Sequence, residues 1–490
     1  MEEKKLGSEV IARLDRLSVW SLPASFIAIL GTGFLFTFFD IFDINVSFIQ
    51  TALTTFGVAS PSSPEIPKLL GPVVLWNLVG YVIGAIALTP LADRFGRKRM
   101  LVLTMAITGL GSLYNALSPN YVDYLIARTI TGIGVGADLA IVNTYINEVA
   151  PINGRAKFTA LVFLFATLGA FLGLWIGLLL TTPPAPFPLG LPIALGGSGV
   201  FALLGWRIMY GVGSLLALIG LALRFELPES PRWLISKGRV EEALKIVERM
   251  EEIAKRKIGE LPSISQLIEV KVMTEVSYKE ALVTIFKDKV YLKRWLVLFF
   301  MWFFGYITVY TNAAGLTTIL SSLGFPSPEA GMIASLGVLG FIAVPVLLIF
   351  LGEKLERKIW VPISAIISLI GGTMMALGRG SLGLEVLGAI VLFLGIDLWV
   401  PISYTWTTEN FPTRARVTGF GLADGLGHIG GGIGAFLLAI TIGNILSSGV
   451  GNYTALEVFT LMVSFQVISA LVSLAGIKTS RKRLDELSPY

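Results

Sequence analysis

The chain has no cysteine among its 490 residues, which excludes disulfides, iron–sulfur clusters and thiol catalysis. It has one histidine, His428, and only three glutamines, Gln50, Gln266 and Gln466. No Gly-x-x-x-x-Gly-Lys-Ser/Thr loop is present for nucleotide phosphates. Neither a metal-ligand cluster nor a nucleophile–base pair appears, so the sequence points away from an enzyme and calls for no cofactor. Charge is scarce as well. Asp, Glu, Lys and Arg make up 14% of the chain, against about 25% in soluble proteins.

What fills the space is apolar. Hydrophobic residues reach 54% and mean hydropathy is +0.77. Runs of roughly 20 apolar residues, enough to cross a bilayer core, fall near 24–52, 71–91, 100–117, 121–147, 157–181 and 205–224. Six more lie near 294–321, 329–351, 359–377, 384–408, 417–445 and 456–477. The expected fold is therefore an all-α membrane protein with twelve transmembrane helices in two six-helix bundles, 1–224 and 294–490. Between them lies a polar linker, 225–293, expected to form surface helices because Glu241, Glu242, Lys245, Glu248, Arg249 and Glu252 recur at helical spacing. It reads either as a solvated connector or as a gating latch. The first span follows an amphipathic segment and lacks a small-residue cleavage site, so no removable signal peptide is expected.

The pI of about 9.2 reports orientation here rather than a nucleic-acid partner. Lys and Arg gather in alternate short loops: Arg94 to Arg99, Arg155 and Lys157, Lys354 to Lys358, Arg414 and Arg416, and Lys478 to Arg483. The intervening loops hold almost none, Lys68 and Arg379 apart, and 182–204 has none. By the positive-inside rule both termini face the cytoplasm of a multi-pass cell-membrane protein. The Pro-rich stretch from Pro183 to Pro188, with its Gly-rich continuation, is then an outer loop.

Two motifs recur at one period. Leu91-Ala-Asp93-Arg-Phe-Gly96-Arg97-Lys98 reappears as Leu351-Gly-Glu353-Lys-Leu-Glu-Arg357-Lys358, a shift of 260 residues. Glu148-x-x-Pro151-x-x-x-Arg155 reappears as Glu409-x-x-Pro412-x-x-x-Arg416, a shift of 261. One period from two motifs indicates a duplicated bundle with parallel halves. Asp93 can pair with Arg97 or cap the next helix, and Gly96 permits the reversal. Glu148 and Glu409 sit at the membrane edge, where an acid needs a partner, so both are expected to bind Arg residues of the neighbouring motifs. Asp93, Arg97, Glu148, Arg155, Glu353, Arg357, Glu409 and Arg416 thus read as gating residues, near anionic lipid headgroups.

Charges inside the spans are few, and each is a functional candidate. Asp40 and Asp43 share one face of the first helix and are read as lying in its outer half. Arg128 enters the fourth span, with Asp138 about 15 Å deeper along the axis. The glycines Gly132, Gly134 and Gly136 allow close helix approach and are expected to press Arg128 against the first span. Trp302, Tyr306 and Tyr310 line one face of the seventh span, either as core packing or as a substrate contact. His428 follows Asp424 by one turn, either as a switchable charge or as a histidine held by that Asp. The neighbouring glycines suggest a kink there.

Asp93 to Lys98, Glu148 to Arg155 and Pro228-Glu-Ser-Pro-Arg-Trp-Leu234 together resemble the signature set of the major facilitator superfamily. The last motif resembles its sugar-porter branch and the related phosphate:proton symporters and organic-ion transporters. The resemblance implies alternating access around a midplane site, a small-molecule substrate with protons as co-ligands, contact with membrane lipids and a monomer. It implies that Asp43 and Arg128 form a proton-coupling pair, the alternative being a static ion pair. Gly132 to Asp138 with Asp40-x-x-Asp43 resembles the phosphate symporters, which implies that Asp40 and Asp138 join the proton route. By the same resemblance Trp302 and Tyr310 match binding-site aromatics, Tyr306 replaces an Asp, and His428 replaces a Lys. No glutamine fits the sugar-porter pattern. Proton-coupled symport of a sugar or small anion is the leading expectation; antiport of organic cations and uncoupled facilitation are the rivals.

Overall fold

The computed structural model describes residues 2–60, 65–264, 278–378, 380–447 and 452–488. Gln266 and Arg379 lie outside them, as does the side chain of Arg414. Every regular element among the described residues is helical. A short helix α1 (Glu2–Asp15) precedes the first six spans: α2 (Ser25–Thr55), α3 (Glu65–Ala87) continuing as α4 (Thr89–Phe95), α5 (Arg97–Leu117), α6 (Tyr121–Val149), α7 (Arg155–Thr181) and α8 (Gly199–Arg224). The polar linker forms α9 (Pro231–Ser236), α10 (Val240–Ile258) and α11 (Tyr278–Lys287). The second six are α12 (Lys289–Ser322), α13 (Ser327–Leu351), α14 (Trp360–Leu377), the pair α15 (Leu382–Asp397) and α16 (Val400–Glu409), the run from α17 (Arg416–Phe420) through α18 (Leu426–Ser447), and α19 (Asn452–Leu474). A last turn, α20 (Leu484–Leu487), closes the described chain.

In the second half, two spans are broken where sequence chemistry demands it. Pro401 has no amide hydrogen to donate to the Asp397 carbonyl four residues earlier, and its ring crowds that oxygen; the tenth span is interrupted between α15 and α16. In the eleventh, Gly421–Gly425 forms a π-helical segment between α17 and α18, the kink anticipated around these glycines. Such π turns are frequent at functional sites in helices.

The glycines of the fourth span do something other than expected. A Cβ on Gly132 would lie 2.0 Å from the Asn77 carbonyl and one on Gly136 2.3 Å from that of Tyr81. On α3, Gly80 and Gly84 meet the carbonyls of Thr129 and Ile133 in the same way. Paired small-x-x-x-small faces therefore bring the α3 and α6 backbones together, while Gly134 faces α5 at Thr104 and Thr108. None of them presses α6 onto the first span; Arg128 reaches α2 by its own side chain. Asp40, moreover, is the middle residue of α2, not part of an outer half.

Candidate functional site

Arg128 is buried between α6 and α2 and serves two acids, Asp40 at 3.1 Å and Asp43 at 3.6 Å. Its other terminal nitrogen donates to the Asp40 backbone carbonyl at 3.0 Å. Tyr210 of α8 offers its ring face to the guanidinium, 5.8 Å from centroid to Cζ, and shares a 2.5 Å hydroxyl contact with Tyr124. Neither carboxylate oxygen of Asp43 has a hydrogen-bond partner among the described residues. Two carboxylates thus face one guanidinium, all three shielded from solvent.

Asp138 is not part of this cluster. It pairs with Arg224 at the end of α8, whose two terminal nitrogens both reach its carboxylate, and it accepts from Thr104 at 2.6 Å. A side chain on Gly33 would collide with Arg224, so α2 passes directly over this second pair. Arg224 was overlooked in the sequence because it ends a span, where a basic residue ordinarily reads as an orientation signal.

The aromatic face of α12 meets the π segment. Tyr306 donates its hydroxyl to the Asp424 carboxylate, and the His428 ring sits 4.2 Å from that of Tyr81 and 4.0 Å from that of Tyr306. His428 Nδ1 lies 2.8 Å from the backbone carbonyl of Asp424 but 4.0 Å from its carboxylate. The histidine is therefore held by the Asp424 main chain more than by its side chain. Trp302 stacks on Tyr306 and donates to Thr407 at 3.0 Å. Tyr306, Tyr310 and His428 line a narrow cavity between the halves, with Tyr81, Tyr404 and Asp397. Trp302 stands behind it, and Asp424 reaches it through Tyr306. The cavity holds about 20 Å³ of water-accessible space, room for roughly one water.

Both ends of this cavity are closed by contacts between the halves. Toward the far end, Asn45 donates to the Ala313 carbonyl at 2.6 Å and accepts from Thr317. At the end carrying the repeated motifs the contacts are ionic and reciprocal. Arg97 bridges Asp93 at 3.1 Å and Glu148 at 3.0 Å within the first half, and Arg357 bridges Glu353 at 3.0 Å and Glu409 at 3.4 Å within the second. Across the interface, Glu148 takes Arg416 at 3.3 Å, while Glu409 lies 3.8 Å from Arg155. Asp93 accepts from the Thr418 amide at 3.0 Å and its hydroxyl at 2.8 Å; Glu353 accepts from the Ala156 amide at 2.8 Å. Each half's acid thereby caps the first turn of a helix in the other half.

The Pro228–Leu234 motif braces this arrangement from below. Ser230 donates to Glu148 at 2.5 Å, and Trp233 Nε1 donates to the Asp93 carbonyl at 3.0 Å. Glu229 accepts from the Arg97 amide at 2.9 Å and occupies the space a side chain on Gly96 would need. Gly96 has φ 109°, a conformation glycine adopts without strain. Burial pushes the Glu229 carboxyl up, and the amides of Ser230, Lys98 and Arg97 pull it back only in part. The terminal segments join in: Arg13 and Arg16 of the N-terminal segment grip Glu251 of α10, at 2.7 and 2.5 Å, and Asp15 bridges Arg232 and Arg483.

The "Sugar (and other) transporter" family model matches residues 24–484. A niacin transporter of Acinetobacter baylyi is 26% identical over 490 residues, 98% of this chain and 99% of that protein. A 4-hydroxybenzoate transporter of Pseudomonas aeruginosa is 28% identical over 420 residues, 84% of this chain and 85% of that one. Among solved structures, the major facilitator proton:xylose symporter bound to 6-bromo-6-deoxy-D-glucose superposes with a TM-score of 0.71 at 20% identity, covering 94% of this chain and 97% of that one. With the duplicated motifs, the twelve spans and this match along nearly its whole length, the chain belongs to the sugar (and other) transporter family of the major facilitator superfamily.

Proposed function

We propose that the protein is a proton-coupled secondary transporter that carries a small polar organic metabolite across a cell membrane by alternating access, as a monomer with both termini in the cytoplasm. The observation that carries this reading is the shared guanidinium of Arg128. Asp40 and Asp43 lie 3.1 and 3.6 Å from it, so one buried negative charge has no counter-ion of its own. A proton taken up there and released on the other side would couple the two movements. The ion pairs among Asp93, Glu148, Arg416 and their counterparts serve as the gate at the motif end, and the Asn45–Thr317 contact as the gate at the far end. Relatives named for niacin and 4-hydroxybenzoate favour small ring-bearing metabolites over phosphate. Antiport of an organic cation is the second reading, favoured by Asp397 on the wall of the central cavity, Asp424 behind Tyr306, and the lack of Lys or Arg among the described residues of its lining.

Proteoliposomes test the first reading. Under an inward proton gradient the protein accumulates one solute from a labelled panel of nicotinate, 4-hydroxybenzoate, xylose and organic cations, and collapse of the gradient abolishes this. Asp43→Asn loses accumulation but keeps solute exchange. Equal loss of both activities would remove Asp43 from the coupling role.

A further inference from the structure

We infer that Asp397 is a solute-binding residue and that the group it receives is a protonated nitrogen. This rests on the transport reading above and names the solute's chemistry. Asp397 ends α15 at the break created by Pro401. It is buried, lines the central cavity, and its Oδ2 has no hydrogen-bond partner among the described residues. A carboxylate in this position is costly unless something compensates it.

Two arginines buried in the first six spans are engaged elsewhere. Arg128 serves Asp40 and Asp43, and Arg224 serves Asp138. His428, the one basic residue on the cavity wall, has Nδ1 directed at the Asp424 carbonyl. Asp424 receives the Tyr306 hydroxyl on one oxygen, and its other oxygen also has no hydrogen-bond partner among the described residues. Asp424 stands off the cavity wall, however, so Asp397 is the acid that lines the cavity.

The rest of the wall suits the same ligand. Tyr81, Tyr306, Tyr310 and Tyr404 surround the space, and aromatic faces attract a desolvated cation. An ammonium or protonated ring nitrogen would bring donors to Asp397 and positive charge to the ring faces. A carboxylate or phosphate group placed against Asp397 would meet an unpaired acid of its own sign. The break in the tenth span adds one more acceptor, because the Asp397 carbonyl lacks its usual donor at position 401. The cavity as it stands admits about one water, so the halves must part for a solute head to enter.

The test compares three probes of one shape and different charge: benzylammonium, benzyl alcohol and benzoate. Binding is followed on the purified full-length protein by calorimetry and by quenching of tryptophan fluorescence, to which Trp302 and Trp399 contribute. Benzylammonium should bind best of the three. Asp397→Asn should weaken it at least 10-fold while leaving benzyl alcohol unchanged, and Asp397→Glu should restore part of the loss. The ratio between two ligands on one folded sample is insensitive to partial destabilisation.

Preference for benzoate, no binding of benzylammonium, or equal weakening of cation and alcohol would overturn the assignment. Gradient-driven transport of an uncharged or anionic solute that survives Asp397→Asn would overturn it too, and leave the transport reading intact. Selective binding of benzylammonium with no solute movement in either direction would leave Asp397 in place and sink the transport reading.

Discussion

Asp93→Asn isolates the contact that holds the motif end shut. The Asp93 Oδ2 accepts two hydrogen bonds from Thr418 of the opposite half, at 3.0 and 2.8 Å. Bonds to a charged acceptor contribute about 1.5–3 kcal/mol each and neutral ones about 0.5–1.5 kcal/mol. Exchanging carboxylate for amide keeps the shape and removes the charge, so the two contacts together weaken by about 2 kcal/mol. Arg97 retains Glu148 at 3.0 Å, which confines the loss largely to the interface. A change of about 2 kcal/mol moves the balance between closed and open motif ends about 30-fold; an open population of about 1% would become about a quarter. The absence of native cysteine makes this directly measurable. Spin labels at Arg99→Cys and Lys354→Cys, exposed positions on the two halves, report the separation of the motif ends. In Asp93→Asn the long-distance population should rise severalfold and net transport should fall, with solute affinity little changed. A distance distribution superimposable on that of the parent, or a large change in affinity without one, would refute the gating role proposed for Asp93.

Three further outcomes follow from the geometry. Gly132→Ala places a methyl 2.0 Å from the Asn77 carbonyl and should lower the detergent-solubilised melting temperature by several degrees, whereas Gly211→Ala, with open space around it, should leave it within about a degree. Asp138→Asn leaves Arg224 buried with only part of its compensation, a loss of about 3 kcal/mol or more, read as a lower unfolding midpoint than in Asp138→Asn combined with Arg224→Met. Glu251 carries the pH dependence of the N-terminal helix: burial pushes its carboxyl up, but hydrogen bonds from Arg13 and Arg16 outweigh this and hold it below its ordinary value. Docking of α1 is therefore fully stabilised above the ordinary carboxyl range and is lost as pH falls through the lowered value. Proteolysis or hydrogen exchange of α1 should show that step below the ordinary carboxyl range, and Glu251→Gln should remove it.

The twelve spans, the surface helices of the linker and the kink near Asp424 were legible because bilayer thickness and helical period write themselves into composition. The ion pairs inside each half, Arg97 with Glu148 and Arg357 with Glu409, were legible because the spacing of the motifs puts acid and base at one membrane edge. Distant pairing was not. Nothing local in the sequence says that Asp138 meets Arg224, 86 residues away, or that the glycines of α6 face α3 and α5 instead of α2. Asp397 was missed for a different reason. It sits in an apolar run as a lone acid, and its signal was the Pro401 four residues later, which places a backbone break and a carboxylate at the same point.

The reciprocity of the motif end has a physical reading that the repeat alone does not carry. Within each half, one acid and one arginine would form a static pair, and duplication would only produce two such pairs. In the folded protein each half's acid also satisfies backbone amides at the start of the other half's helix, Thr418 for Asp93 and Ala156 for Glu353. First-turn amides have no intrahelical acceptor, so parting the halves exposes two helix starts and two acids at once. Water can replace those partners only at an open interface. The contacts therefore favour a fully closed end or a fully hydrated one over a narrow dry gap, since a half-opened interface would leave charges and amides desolvated without partners. For the gate proposed at this end, duplication of the motif thus implies cooperative opening, and the two halves should separate as units there.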